Sequence, residues 1–163
     1  MTSTPITDDD RDHLRRCVEL AREALEAGDD PFGSVLVGPG GGVRFADRNR
    51  ESSRGDATRH PELEIARWAA AELTAQERAA STVYTSGEHC PMCAAAHAWV
   101  GLGPILYASS SEQLTRWRAE LGAPPSPVRP LPITDVAPAL RVNGPVAPFD
   151  DEIRELHRRR LAG

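Results

Sequence analysis

Apolar residues recur at helical spacing from Leu14 through Cys17, Leu20 or Ala21, and Ala24 or Leu25, until Gly28 stops the run. Thr7 ahead of three aspartates is a favourable N-cap, so the pattern predicts a first helix from there. The period then changes. "PFGSVLVG" reads as a buried strand, "PGGG" as a tight turn and "VRFADRN" as a second strand, together a hairpin. "RESSRGDATR" is a polar loop ending at His60. "PELEIARWAAAEL" is helical, with Leu63, Ala66 or Arg67, and Ala70 along one side. "STVYTS" predicts a third strand, "PMCAAAHAWV" a helix, "PILYAS" a fourth strand and "SEQLTRWRAELG" another helix.

Prolines dominate the next segment. Six lie between Pro124 and Pro138, a density that blocks helix and interior strand, so residues 123–138 are expected to run extended, with a short edge strand near Leu131 to Ile133. The tail predicts a terminal helix over about 149–161, acidic early and basic late as the helix dipole favours. Strands alternating with helices point to an α/β domain with a mixed sheet. The whole chain, 1–163, is expected to form one domain.

Composition narrows the function. No apolar run approaches the roughly 18 to 20 residues that span a bilayer. The acidic start, "MTSTPITDDDRDH", lacks the basic-then-apolar order of a signal peptide. The net charge of −5 argues against a dedicated nucleic-acid binder and suits a small, uncharged substrate. Three cysteines, an odd count with one close pair, do not suggest a disulfide framework; the expected setting is the reducing cytoplasm.

That close pair carries the chemistry. Cys90 and Cys93 stand three apart at the head of a helical run, so both sulfurs can reach one ion. Pro91 suits the first helical position and makes Cys90 the N-cap, where the helix dipole favours thiolate. "RHPELEIARWAA" repeats the arrangement: His60 also precedes a proline and a helix. Two helix starts would then converge, and one imidazole with two thiolates suits tetrahedral Zn²⁺ with a fourth position open. His97 lies four residues beyond Cys93 and competes for the metal, but three ligands from one straight helix face cannot surround an ion. It is expected in the core or lining a pocket. Cys17 is expected to be a buried free thiol. Glu62, two residues after His60 in the first helical turn, can face the same point and shuttle protons for a zinc-activated water. A helix-start carboxylate favoured by the dipole is the plain alternative.

With "HPE" at 60–62 and "HCPMC" at 89–93, the chain resembles the zinc-dependent cytidine/purine deaminase superfamily, whose signature is H-x-E followed by P-C-x-x-C. "DDPFGSVLV", "DRNR" and "GDATRHPE" are similar to the guanine deaminase and tRNA adenosine deaminase branch. One departure stands out: "EHC" replaces the usual "EPC", so His89 sits where proline is expected and can alter the pocket wall.

The resemblance implies a three-layer α-β-α sandwich around a mixed five-stranded sheet, and a homodimer. It implies Asn49 hydrogen-bonding the substrate, with Glu88 and the backbone from Phe32 to Ser34 orienting the base. Phe32 and Trp99 are candidates for stacking contact, and the Cys90 N–H for contact with the ring's exocyclic oxygen. It also implies hydrolytic release of ammonia from a free nucleobase, guanine or a purine-like base, with Glu62 carrying the proton to the ring nitrogen and then to the leaving group. Adenosine in tRNA, and cytosine or triazine-like rings, are the alternative substrates. A zinc-stabilised interaction domain is the non-enzymatic alternative; it requires a fourth protein ligand and gives Glu62 no role.

Overall fold

A computed structural model describes residues 4–163. Helix α1 spans Asp8–Glu26 and is opened by a capping box in which the Thr7 side chain accepts from the Asp10 N–H while the Asp10 carboxylate accepts from the Thr7 N–H. Such caps stabilise a helix by about 1 kcal/mol. The expected apolar stripe is its buried face: Leu14, Cys17, Leu20, Ala21 and Ala24, joined by Val18. Strands β1 (Gly33–Val37) and β2 (Val43–Arg48) form the hairpin. Gly33 lies where α1 crosses β1; a Cβ there would collide with the Leu20 side chain and the Cys17 carbonyl, so only glycine lets the layers meet.

The polar loop holds a short helix, α2 (Glu51–Arg54), closed by Gly55 in the left-handed conformation at φ 60°. Helix α3 runs Pro61–Glu72. It buries Ile65, Ala66 and Ala69; of the expected stripe of Leu63, Ala66 or Arg67, and Ala70, Ala66 is buried, Leu63 is half-buried, and Arg67 and Ala70 are exposed. The helix also buries its start, so Pro61 and Glu62 belong to the inner face and rotate the stripe toward Ile65. A further short helix, α4 (Ala75–Ala79), leads into β3 (Thr82–Gly87), α5 (Pro91–Trp99), β4 (Ile105–Ser109) and α6 (Ser111–Glu120).

The expected edge strand near Leu131 to Ile133 is not found; Ile133–Val136 is instead a helical turn, α7, entered from Pro132. Proline bars a helix interior but not its start, and no proline follows until Pro138. The fifth strand is β5, only Val142–Asn143. Helix α8 (Phe149–Ala162) closes the element order.

The sheet order is β2-β1-β3-β4-β5, with β1 antiparallel to both neighbours and β3, β4 and β5 parallel. Side-chain alternation on the strands divides the core in two. Val35, Val37, Tyr84 and Ala108 face α1, α6 and α8. Leu36, Val83 and Ile105 face α3, α5 and α7. The result is a three-layer sandwich around a mixed five-stranded sheet.

α8 also reaches the loops at one end. Arg160 donates to Asp30 Oδ1 at 2.8 Å and to Ser52 Oγ at 3.1 Å, and the Phe32 ring meets His157 edge-on at 5.1 Å.

Candidate active site

Two helix starts converge. His60 is the N-cap of α3 and Cys90 the N-cap of α5, both in extended conformation with proline at the next position. The parallel β3 and the packing of α3 on α5 aim these ends at one point. His60 Nδ1 lies 3.5 Å from the Cys90 sulfur and 3.5 Å from the Cys93 sulfur. Tetrahedral zinc, with bonds of about 2.0 Å to nitrogen and about 2.3 Å to sulfur, holds such atoms about 3.5 Å apart. The donor set therefore fits zinc in chemistry and in spacing. Among the described residues, the ligand atoms that gather within 4.8 Å of one another belong to His60, Cys90 and Cys93. Cys17 is elsewhere, fully buried on α1. His97 donates from Nε2 to the Gly103 carbonyl at 2.8 Å and stays in the core.

The charges at the site suit a cation. A hydrogen bond from Cys93 is the main reason the Cys90 thiol is held down to about 4, with His60 beside it helping against the effect of burial. Glu62, 6% exposed, is pushed above its ordinary value by burial, against the pull of His60. Its Oε2 lies 3.8 Å from the Cys93 sulfur. Its Oε1 lies 3.1 Å from the Thr85 hydroxyl, which in turn accepts from Ser34 Oγ at 2.8 Å. Ser34 thus stands behind Glu62, one hydroxyl removed.

The remaining expected contacts divide. Asn49 is 1% exposed and bonded at both ends to Glu51: its Nδ2 donates to Glu51 Oε2 at 2.6 Å and its Oδ1 accepts from the Glu51 N–H at 2.9 Å. Glu88 anchors two backbone segments, its oxygens accepting from the N–H groups of Ser111 at 2.9 Å and Ile133 at 2.8 Å. Trp99 lies 87% exposed at the far end of α5, away from the buried cluster, and offers no stacking surface to it within this chain. Phe32 covers Gly87, where a Cβ would meet the ring at 3.2 Å. His89 is 1% exposed, packs edge-on against His97 at 5.3 Å, and has no hydrogen-bond partner at either ring nitrogen among the described residues.

Two supporting residues carry little signal in the sequence. Glu51 lies 3.5 Å from His60 Nε2. Asp29, fully buried, accepts from the Ser53 N–H at 2.7 Å, the Ser53 hydroxyl at 2.8 Å and Arg48 at 2.9 Å, tying α2 to the loop before β1. Burial works to raise the Asp29 carboxyl, but those partners hold it below the usual carboxylate range. An aspartate in "GDDPF" reads as loop polarity, and only the fold reveals its partners.

Paired helix starts bearing an imidazole and two thiolates define a zinc site with a buried carboxylate at its edge. The cytidine and deoxycytidylate deaminase zinc-binding region matches residues 7–109, and the chain belongs to that family. "Probable cytosine deaminase" of Schizosaccharomyces pombe is 30% identical over 125 residues, covering 77% of this chain and 75% of the relative. Guanine deaminase of Bacillus subtilis is 36% identical over 97 residues, 59% of this chain and 62% of the relative. In fold, the chain is similar to guanine deaminase from Nitrosomonas europaea, with a TM-score of 0.70 at 20% identity over 98% of this chain and 87% of that one.

Proposed function

We propose that this chain is a zinc-dependent hydrolytic deaminase that releases ammonia from a free nucleobase, guanine or a related purine-like base. The observation that carries this reading is the buried Glu62 carboxylate, with Oε2 3.8 Å from the Cys93 sulfur and Oε1 beside the Thr85 hydroxyl. His60, Cys90 and Cys93 would hold the zinc, which when bound supplies Lewis acidity that brings a water's pKa toward about 7. Glu62 does the proton work. With Oε1 beside Thr85, Oε2 is the atom left to take one proton from the attacking water and give it to the ring nitrogen, and then to take the second proton from the added hydroxyl and give it to the departing amine as the C–N bond breaks. Burial raises the affinity of this carboxylate for that proton, which suits a group that must both accept and return it. Asn49, set by Glu51, would hold the base, with Phe32 along the wall near Gly87.

The guanine deaminase relative supports a purine. The S. pombe relative supports a second reading, an aminopyrimidine such as cytosine. The charge of −5 supports a small substrate over a nucleic acid. Unpaired Cys17, Cys90 and Cys93 agree with a cytoplasmic setting. The exposed Trp99 would be covered in the homodimer that the family resemblance implies.

Ammonia release from guanine, adenine, cytosine, isoguanine, their nucleosides and triazine bases tests the proposal, with Glu62→Ala as control. Turnover of guanine or another free purine that vanishes in the zinc-loaded variant is the expected result. Stoichiometric zinc with no ammonia from any base would overturn it.

A further inference from the structure

The carboxylate of Glu51 joins two residues with different tasks. Its Oε2 accepts from Asn49 Nδ2 at 2.6 Å, and its Oε1 lies 3.5 Å from His60 Nε2. The loop between them is pinned so that they must face each other. The Arg50 N–H donates to the Arg59 carbonyl at 3.1 Å, closing the loop at its ends. Gly55 turns the chain with φ 60°, and the Asp56 N–H returns to the Glu51 carbonyl at 3.0 Å. The arginines that flank the pair in sequence are engaged elsewhere: Arg50 with Asp47, and Arg59 with Asp56 and Glu64. Among the described residues, the ion pair that Glu51 makes is the one with His60.

We propose that Glu51 is a positioning residue that fixes the His60 tautomer for zinc and the orientation of the Asn49 amide for the base. The inference rests on the reading of His60, Cys90 and Cys93 as the zinc site. A histidine binds metal through a bare ring nitrogen, so with Nδ1 turned to the two sulfurs the ring proton must sit on Nε2. A carboxylate facing Nε2 favours that tautomer and stops the ring from turning over. The Asn49 side is fixed independently. The Glu51 backbone N–H can only donate, so the atom 2.9 Å from it is the amide oxygen, and the amide nitrogen is left for the carboxylate. A flipped amide would set oxygen against carboxylate and N–H₂ against N–H. The second Asn49 hydrogen and the free lone pair of Oδ1 therefore point in fixed directions, and the donor and acceptor they offer a base cannot exchange.

Glutamine at this position has one acceptor end and one donor end, so it can satisfy one of the two neighbours and opposes the other. The full chain is stripped of metal, and zinc affinity is measured by competition with a chelator for wild type, Glu51→Gln, Glu51→Ala and Glu51→Asp. Outer-sphere partners of metal-bound histidines contribute about 10-fold to 100-fold in affinity. A loss of that size in Glu51→Gln and Glu51→Ala is expected, with Glu51→Asp recovering most of it. Imidazole ¹⁵N shifts of the zinc-loaded wild type are expected to report an Nε2–H ring at His60. Zinc affinity within twofold of wild type in a folded Glu51→Ala would overturn the proposal. If that variant does not fold, the isosteric Glu51→Gln is judged by the same threshold. A wild-type chain that binds no zinc would instead overturn the metal site itself.

Discussion

The Thr85 hydroxyl lies 3.1 Å from Oε1 of Glu62. Both groups are buried, and the same hydroxyl lies 3.0 Å from the Gly87 carbonyl. When its proton turns to Glu62, the bond leaves Oε2 as the carboxylate oxygen free to work. Removing Glu62 as Glu62→Gln should cost about 10²-fold to 10⁴-fold in kcat while zinc stays bound. Thr85→Val should cost about fivefold to tenfold, the worth of one neutral hydrogen bond of about 1 kcal/mol. Steady-state kinetics with zinc content measured on the same samples checks both. Equal losses in the two variants would mean that Thr85 does more than orient Glu62.

Asp29 holds α2 against the rest of the chain through Ser53 and Arg48. Asp29→Ala strands a partly buried guanidinium and two donors, and is expected to destabilise the fold by about 3 kcal/mol. Asp29→Asn should cost less, since it keeps an acceptor for Ser53. Urea unfolding midpoints at constant slope measure the difference.

His97 and His157 stay neutral in the fold, each held down to about 4, chiefly by burial. The unfolded chain protonates such rings near 6.5. Their contribution is thus complete above about pH 6.5, declines as pH falls toward 4, and changes no further below that. Each ring adds a slope of at most about 1.4 kcal/mol per pH unit in this window. His157→Phe, which keeps a ring beside Phe32 and Trp117, should flatten the acid loss of stability between pH 6.5 and 4.5. An unchanged slope would show that this ring is not buried as a neutral base.

His89 is buried with both ring nitrogens unpartnered among the described residues, a state that costs about 1 to 3 kcal/mol. His89→Leu should therefore leave stability unchanged or raise it, read as a thermal midpoint. The same variant assayed for turnover separates wall from bystander. A fall in kcat/KM at full zinc content would place the ring against the substrate.

The metal cluster was legible in the sequence because proline at the first helical position marks its own N-cap, and it does so twice, after His60 and after Cys90. The two core faces were legible wherever an apolar period ran for several turns, as on α1. Short elements were not. β5 pairs only Val142 and Asn143 with β4, and two residues carry no period. α2 is made of "ESSR", which reads as loop and is held by Asp29 and the Asp56 turn more than by its own residues. Glu88 illustrates a different limit. The family resemblance implies that it orients the base, but no sequence pattern shows that its carboxylate also ends on two backbone N–H groups that only the folded chain brings near.

Arg160 makes the final turn of α8 a clasp on segments lying more than a hundred positions earlier, at Asp30 and Ser52. Trimming or loosening that last turn therefore acts at a distance, on the loop before β1 and on α2, with no change among the zinc-binding side chains.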